Sequence, residues 1–194
     1  MIAIIDNRDS FVWNLADYVS LHDEVEVVPN TISPCDLHAL APDGIIISPG
    51  PGAPEKRRYV GNVPMIVSHA FVPVLGVCLG HQVICHVFGG TVSRVAPMHG
   101  KASDIFHDAR TIFEGIASPF RAGRYHSLAV TRCPPGFEVS ATTEDGTIMG
   151  IRSLERRIEG VQFHPESVLT GERADEGRAI VRNFLDMCEV GRCL

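Results

Sequence analysis

The stretch that most constrains this chain is Pro73-Val74-Leu75-Gly76-Val77-Cys78-Leu79-Gly80-His81-Gln82. An apolar, β-branched run enters Gly-x-Cys-x-Gly and leaves as a helical pattern reaching about residue 88. That order predicts a strand, a sharp turn and a helix. The same strand–helix alternation runs from the N-terminus. Residues 2–5, 24–28 and 44–47 read as strands, and 11–21 and 34–40 as helices, with another helix candidate before the strand at 73–77. The run at 44–47 is continuously apolar, as a strand buried on both faces should be. Alternation at this spacing predicts an α/β fold, a largely parallel open sheet with flanking helices and right-handed crossovers. From residue 91 to about 163 the texture changes to short β runs broken by Gly, Pro and Asp. This predicts added antiparallel strands within one domain spanning 1–194, closed by an amphipathic helix over 174–188.

Composition narrows the function. The 194 residues are 45% hydrophobic and 21% charged, ordinary for a globular chain, and long enough to bury a core. A net charge of −6 supplies no basic stripe, which argues against nucleic acid as a partner. No stretch approaches the ~18 apolar residues of a membrane span, and the N-terminal run 1–6 is short and acidic early for a signal peptide. Cysteines at 35, 78, 85, 133, 188 and 193 are spaced too irregularly for a disulfide framework. A reducing cytoplasm is the expected setting.

Cys78 between its two glycines fits the logic of a nucleophile elbow. Small neighbours permit a tight bend, so the thiol projects from the tip at a helix N-terminus, where unpaired N–H groups favour thiolate. The competing reading is a buried structural cysteine. A nucleophilic thiol needs a base, and Gly160-Val161-Gln162-Phe163-His164-Pro165-Glu166 offers one. Residues two apart in extended backbone share a side, so Glu166 can hold the His164 ring while the other nitrogen serves the thiol. Pro165 biases His164 toward the extended conformation this requires. Gly50-Pro51-Gly52 follows a buried strand and can turn N–H groups toward an oxyanion, with the Leu79 N–H as second donor. Gln82, one helical turn beyond Cys78, places an exposed amide on the same face, suited to a bound substrate. Cys78, His81, Cys85 and His86 are crowded enough to suggest zinc, but structural sites split their ligands between two knuckles. No metal is expected, and His81 and His86 read as packing or supporting residues.

These segments together resemble the class I (triad-type) glutamine amidotransferases. Gly76-Val77-Cys78-Leu79-Gly80-His81-Gln82 and Phe163-His164-Pro165-Glu166-Ser167 are similar to that family's signatures. Asp6-Asn7-Arg8-Asp9-Ser10-Phe11, Ser48-Pro49-Gly50-Pro51-Gly52, Pro97-Met98-His99-Gly100-Lys101 and Arg124-Tyr125-His126-Ser127-Leu128 resemble the branch serving chorismate-utilising enzymes. That branch includes the glutaminase subunits of anthranilate synthase, in tryptophan biosynthesis, which is the expected role, and of 4-amino-4-deoxychorismate synthase, with a folate or dual-pathway role as the alternative. The resemblance implies a flavodoxin-like fold and hydrolysis of L-glutamine through a thioester on Cys78, with His164 as base and Glu166 as its orienting carboxylate. It also implies glutamine contacts from Gly50, Pro51, Gly52, Leu79, Gln82, Ser127 and Leu128. No cofactor is implied on this chain, and Mg²⁺ is expected on the chorismate-utilising synthase subunit that receives the ammonia. No segment reads as a chorismate-binding domain, so that chemistry is expected on another polypeptide. His99-Gly100-Lys101, expected in a Gly/Pro-bounded loop, resembles a segment near the family's subunit interface. Arg8, Val12-Trp13 and residues 53–62 depart from the family's usual pattern without removing a catalytic group. A non-catalytic regulatory subunit is the rival of a different class, and the intact Cys78, His164 and Glu166 argue against it.

Overall fold

A computed structural model describes residues 1–171 and 175–189. The first half alternates as expected: β1 (Ile2–Asp6), α1 (Val12–Ser20), β2 (Val25–Pro29), α2 (Pro34–Ala39), β3 (Gly44–Ile47), two short helices α3 (Arg57–Val60) and α4 (Val63–Ser68), β4 (Val74–Val77) and α5 (Leu79–Val87). The second half holds β5 (Thr91–His107), a 3₁₀ turn at Thr111–Phe113, β6 (Phe120–Arg132), β7 (Glu138–Thr142), β8 (Ile148–Ser153), β9 (Ile158–Val161) and α6 (Asp175–Glu189). Of the expected closing helix, Ala174 lies outside the described residues, as does Cys193.

All nine strands form one sheet in the order β2-β1-β3-β4-β9-β8-β7-β5-β6. The first five are parallel, and β8, β7, β5 and β6 join antiparallel. Every residue of β3, β4 and β9 is buried, because helices cover both faces and each face takes alternate side chains. Ile2, Ile4, Ile46, Leu75, Val77 and Val161 pack with Leu15 and Val19 of α1 and with Ile180 and Phe184 of α6. Ala3, Ile5, Ile45, Ile47 and Val74 face the other way, against Leu37, Ile66, Val83 and Ile84 of α2, α4 and α5.

The second half differs from expectation in three ways. Residues 158–161 belong to the parallel core, where β9 pairs directly with β4. The strands β5 and β6 are long rather than short, forming an antiparallel ribbon through register shifts at Thr91/Val92, Arg94/Met98 and His99/Lys101. A bulge absorbs Pro97 or Gly100 without ending the strand, so the Gly and Pro signals mark irregularities rather than loops. His99, Gly100 and Lys101 accordingly lie within β5, where His99 pairs with Tyr125 and Lys101 with Arg124. Gly100 takes the positive φ of 64° at the bulge.

Candidate active site

The parallel strands deliver their C-terminal ends to one edge, where open α/β sheets place their sites. Cys78 follows β4 there with φ 52° and ψ −98°, a conformation costly for a residue with a Cβ. Two backbone bonds hold it: its N–H donates to the Val161 carbonyl at 2.8 Å, and its carbonyl accepts from the Gln82 N–H at 3.1 Å. The flanking glycines are required by packing. A Cβ on Gly76 would lie 2.5 Å from Ile84 Cδ1 and 2.7 Å from the Gly80 carbonyl carbon, and one on Gly80 would press into the Ile47 carbonyl oxygen. Helix α5 therefore sits directly on β3 and β4. Gly80→Ala is expected to cost about 1–3 kcal/mol by forcing backbone apart, readable as a lower melting temperature. An unchanged melt would mean that α5 has slack.

His164 follows β9, and its segment is stapled to β6. The His164 N–H donates to the Gly123 carbonyl at 3.0 Å, the Gly123 N–H donates to Thr170 Oγ1 at 3.0 Å, and that hydroxyl donates to the His164 carbonyl at 2.5 Å. His164 Nδ1 meets Glu166 Oε1 at 2.7 Å, with both side chains buried. Glu166 can only accept in its ionised form, so Nδ1 carries the proton. Phe11 and Tyr125 flank the imidazole at ring-centroid distances of 5.2 and 4.9 Å. Burial opposes charge on this ring. The nearby Cys78 sulfur, with the hydrogen bond to Glu166 and that group's negative charge, overrides it and raises His164 to about 11. With Nδ1 engaged by Glu166, Nε2 is the nitrogen left for the thiol. The arrangement favours an imidazolium beside the sulfur and supports a nucleophile, a proton carrier and an orienting carboxylate.

The 50–52 loop is pinned beside this centre. Asn7, at the end of β1, donates from its backbone N–H to Ser48 Oγ and from Nδ2 to the Ser48 carbonyl, both at 2.9 Å. A Cβ on Gly50 would fall 2.6 Å from Asn7 Cβ and 2.8 Å from Leu79 Cδ2, so Gly50 joins the loop to the start of α5. The Leu79 N–H lies in the first turn of that helix, where N–H groups lack an intrahelical partner. Gly52 adopts φ 89° with the Tyr59 ring lying across its Cα, and Arg58 stacks on that ring at 4.7 Å. A cleft of about 450 Å³ opens there, lined by Gly52, Lys56, Arg58, Arg94, Ser127 and Leu128, among others. The departure at residues 53–62 thus forms a wall of this cleft.

Two expectations are corrected. The Gln82 amide is 3% exposed, not open to a ligand. Its Nε2 donates to the Leu128 carbonyl at 3.1 Å and to Gln162 Oε1 at 3.0 Å, which uses both of its N–H bonds. His81 is wholly buried, kept neutral chiefly by desolvation and then by His126, with its pKa lowered to about 3. Its ring lies against Gly160, while His86 is exposed rather than packed. Among the described residues no group of side chains forms a metal site, and no helix is long and apolar enough to cross a membrane. Sequence reasoning missed Gln162, whose Nε2 lies 3.6 Å from Cys78 Sγ. The two-residue alternation that joins 164 to 166 reaches 162 when carried one step back. It also missed Thr170 and Gly123, which no local pattern marks.

Comparison with known proteins agrees with this geometry. Residues 3–187 match the family described as glutamine amidotransferase class-I. The chain is 58% identical over 192 residues to "Anthranilate synthase component 2" of Thermococcus kodakarensis, covering 98% of this chain and 100% of that protein. It is 52% identical over 191 residues to the protein of the same name from Archaeoglobus fulgidus, again covering 98% and 100%. Among solved structures, a Thermoplasma acidophilum protein described as part of a GMP synthase superposes with a TM-score of 0.87 at 27% identity, over 98% of this chain and 94% of that one. A Thermotoga maritima glutamine amidotransferase shares the fold, with a TM-score of 0.75 at 15% identity and 97% of each chain covered. With the match running nearly end to end over a strand–elbow–helix that holds its cysteine beside a carboxylate-bound histidine, the chain belongs to the class I glutamine amidotransferases.

Proposed function

We propose that this chain is the glutaminase subunit of an anthranilate synthase, hydrolysing L-glutamine through a γ-glutamyl thioester on Cys78 and passing ammonia to a chorismate-utilising partner. The observation that carries the reading is the buried 2.7 Å contact between His164 and Glu166, with Cys78 acting on the same ring. The Cys78 sulfur attacks the side-chain carboxamide carbon of glutamine. The resulting oxyanion meets N–H groups of the 50–52 loop and of Leu79. The His164 imidazolium gives its proton to the departing nitrogen, the C–N bond breaks, and ammonia leaves. Water then attacks the thioester while the neutral imidazole takes its proton, and the C–S bond breaks to release glutamate and the sulfur anion. Ser127 and Leu128 line the cleft that takes the amino-acid end of glutamine, and Gln82 acts through the Leu128 carbonyl it holds. These steps call on no metal or cofactor of this chain, and Mg²⁺ belongs with the partner.

The pathway rests on the relatives named anthranilate synthase component 2, and a second component follows from that name. Val168, two residues past Glu166, is 85% exposed, an apolar residue at the site edge suited to a partner surface. His99 packs edge-on to Tyr125 at 5.7 Å, and Tyr125 packs on His164 at 4.9 Å. The exposed strand β5 therefore reaches the catalytic ring through one aromatic side chain. Replacing His99 or Lys101 is expected to reduce stimulation by the partner more than basal hydrolysis; equal loss of both would remove this coupling role. The direct test combines the chain with candidate synthase subunits, chorismate and glutamine, and identifies the product. The reading expects anthranilate. Aminodeoxychorismate would move the subunit to folate synthesis, and no aminated product with either partner would refute the role.

A further inference from the structure

We propose that Gln162 is a positioning residue for the nucleophile, kept in its working orientation by a hydrogen-bonded line running through Gln82, the Leu128 carbonyl and His126 to Arg124. The inference rests on the glutaminase reading above and deepens it. The direction of each bond follows from what each group can do. A backbone carbonyl only accepts, so Gln82, 3.1 Å from the Leu128 oxygen, must present its NH₂ there. The second hydrogen of that NH₂ points to Gln162, which must answer with its carbonyl oxygen, at 3.0 Å. The Gln162 NH₂ is thereby turned toward Cys78 Sγ, at 3.6 Å. At the other end Arg124 has only donors, so its Nε–H, 3.1 Å from His126 Nε2, makes that nitrogen an acceptor. The proton of His126 then sits on Nδ1 and is donated to the Leu128 oxygen at 2.9 Å. Burial, followed by the Arg124 charge, lowers His126 to about 4, so the neutral ring this requires is the stable form.

The line is internal. Gln162 is 0% exposed and Gln82 3%, so neither amide can replace a lost partner with bulk water. An N–H aimed at sulfur is strongest when the sulfur is an anion. It therefore supports the attacking thiolate and the thiolate expelled on deacylation, and does little for glutamine binding. Because Arg124, itself buried, lies on β6 and also donates to Ser103 of β5 at 3.0 Å, the orientation of the nucleophile is tied to the β5–β6 ribbon.

The test uses the complex with its synthase partner and compares Gln162→Leu with Gln162→Met. The second variant is unbranched, nearly fills the same volume, carries no charge and offers sulfur no hydrogen-bond donor. Both are expected to lower glutamine-dependent kcat by about ten-fold or more, since a hydrogen bond to a charged group carries that weight, with KM for glutamine within two-fold. Alkylation of Cys78 by iodoacetamide should slow in parallel. His126→Phe should lower kcat as well, and combining it with Gln162→Leu should add less than the product of the two effects. A smaller fall in kcat in either folded Gln162 variant, or a rise in KM with kcat retained, would overturn the proposal. If Gln162→Leu does not fold, Gln162→Met decides alone. Cys78→Ser in the same assay separates the two levels. Glutamine hydrolysis surviving in that variant would refute the glutaminase mechanism itself, whereas its loss beside unaffected Gln162 variants would refute only the positioning role.

Discussion

Replacing Cys78 by serine is expected to abolish glutamine-dependent synthesis while the assembled complex continues to use free ammonia. Removing the nucleophile of a catalytic triad costs roughly 10⁴–10⁶-fold in kcat. Serine fills nearly the same volume and is compatible with the elbow, so loss of activity cannot be ascribed to loss of packing. A hydroxyl beside His164 is a far weaker nucleophile than the thiol it replaces. The chain turns at this residue through a φ of 52° held by bonds from Cys78 to Val161 and from Gln82 to Cys78. Those are backbone bonds, which serine keeps. Retained ammonia-dependent activity would show that the subunit still folds and docks. Retained glutamine-dependent activity would place the nucleophile elsewhere.

The second large effect is expected at Glu166. Glu166→Gln keeps the shape and can still reach His164 Nδ1, but it supplies no negative charge and permits the wrong tautomer. By analogy with other triads the loss in kcat is about 10⁴-fold. The sign of the accompanying titration is set by the cause of the shift. Burial works against the imidazolium, and the nearby Cys78 sulfur with the bond and charge of Glu166 raises His164 to about 11. Imidazole NMR should therefore show the ring protonated throughout the neutral range in the unmodified chain. Removing either partner should move the titration toward lower pH, because burial then acts with less opposition. A ring that titrates near its ordinary value in the unmodified chain, or one indifferent to Glu166→Gln, would contradict the ion-pair description.

The parts of this site that lie close together in the chain were legible before any coordinates. The elbow at 76–80 is a local steric problem solved by two glycines, and His164 and Glu166 are joined by the alternation of extended backbone. The Gly50–Asn7–Leu79 junction was legible only in part, since glycine at 50 suggests a tight turn but not what crowds it. Four features were hidden for one reason: their determinants lie far apart in sequence. Gln82 reads as an exposed helical amide until the Leu128 carbonyl, 46 residues later, covers it. Gln162 reads as an interruption in an apolar run until Gln82 and Cys78 arrive on either side. The segment 97–101 reads as a loop because Pro and Gly usually end strands. Here the partner strand β6 carries the pairing across the bulges. Residues 158–161 sit among antiparallel strands in sequence but beside β4 in space, a placement made by Cys78 and Val161 bonding across the strand ends.

The central claim is that Cys78 accepts the γ-glutamyl group, and the most direct measurement is mass spectrometry of the complex quenched in acid during turnover. The peptide containing Cys78 is expected to carry one γ-glutamyl group in thioester linkage, labile to hydroxylamine, absent without glutamine and absent in Cys78→Ser. An acyl group on any other residue, or steady hydrolysis by the Cys78→Ser variant, would contradict it.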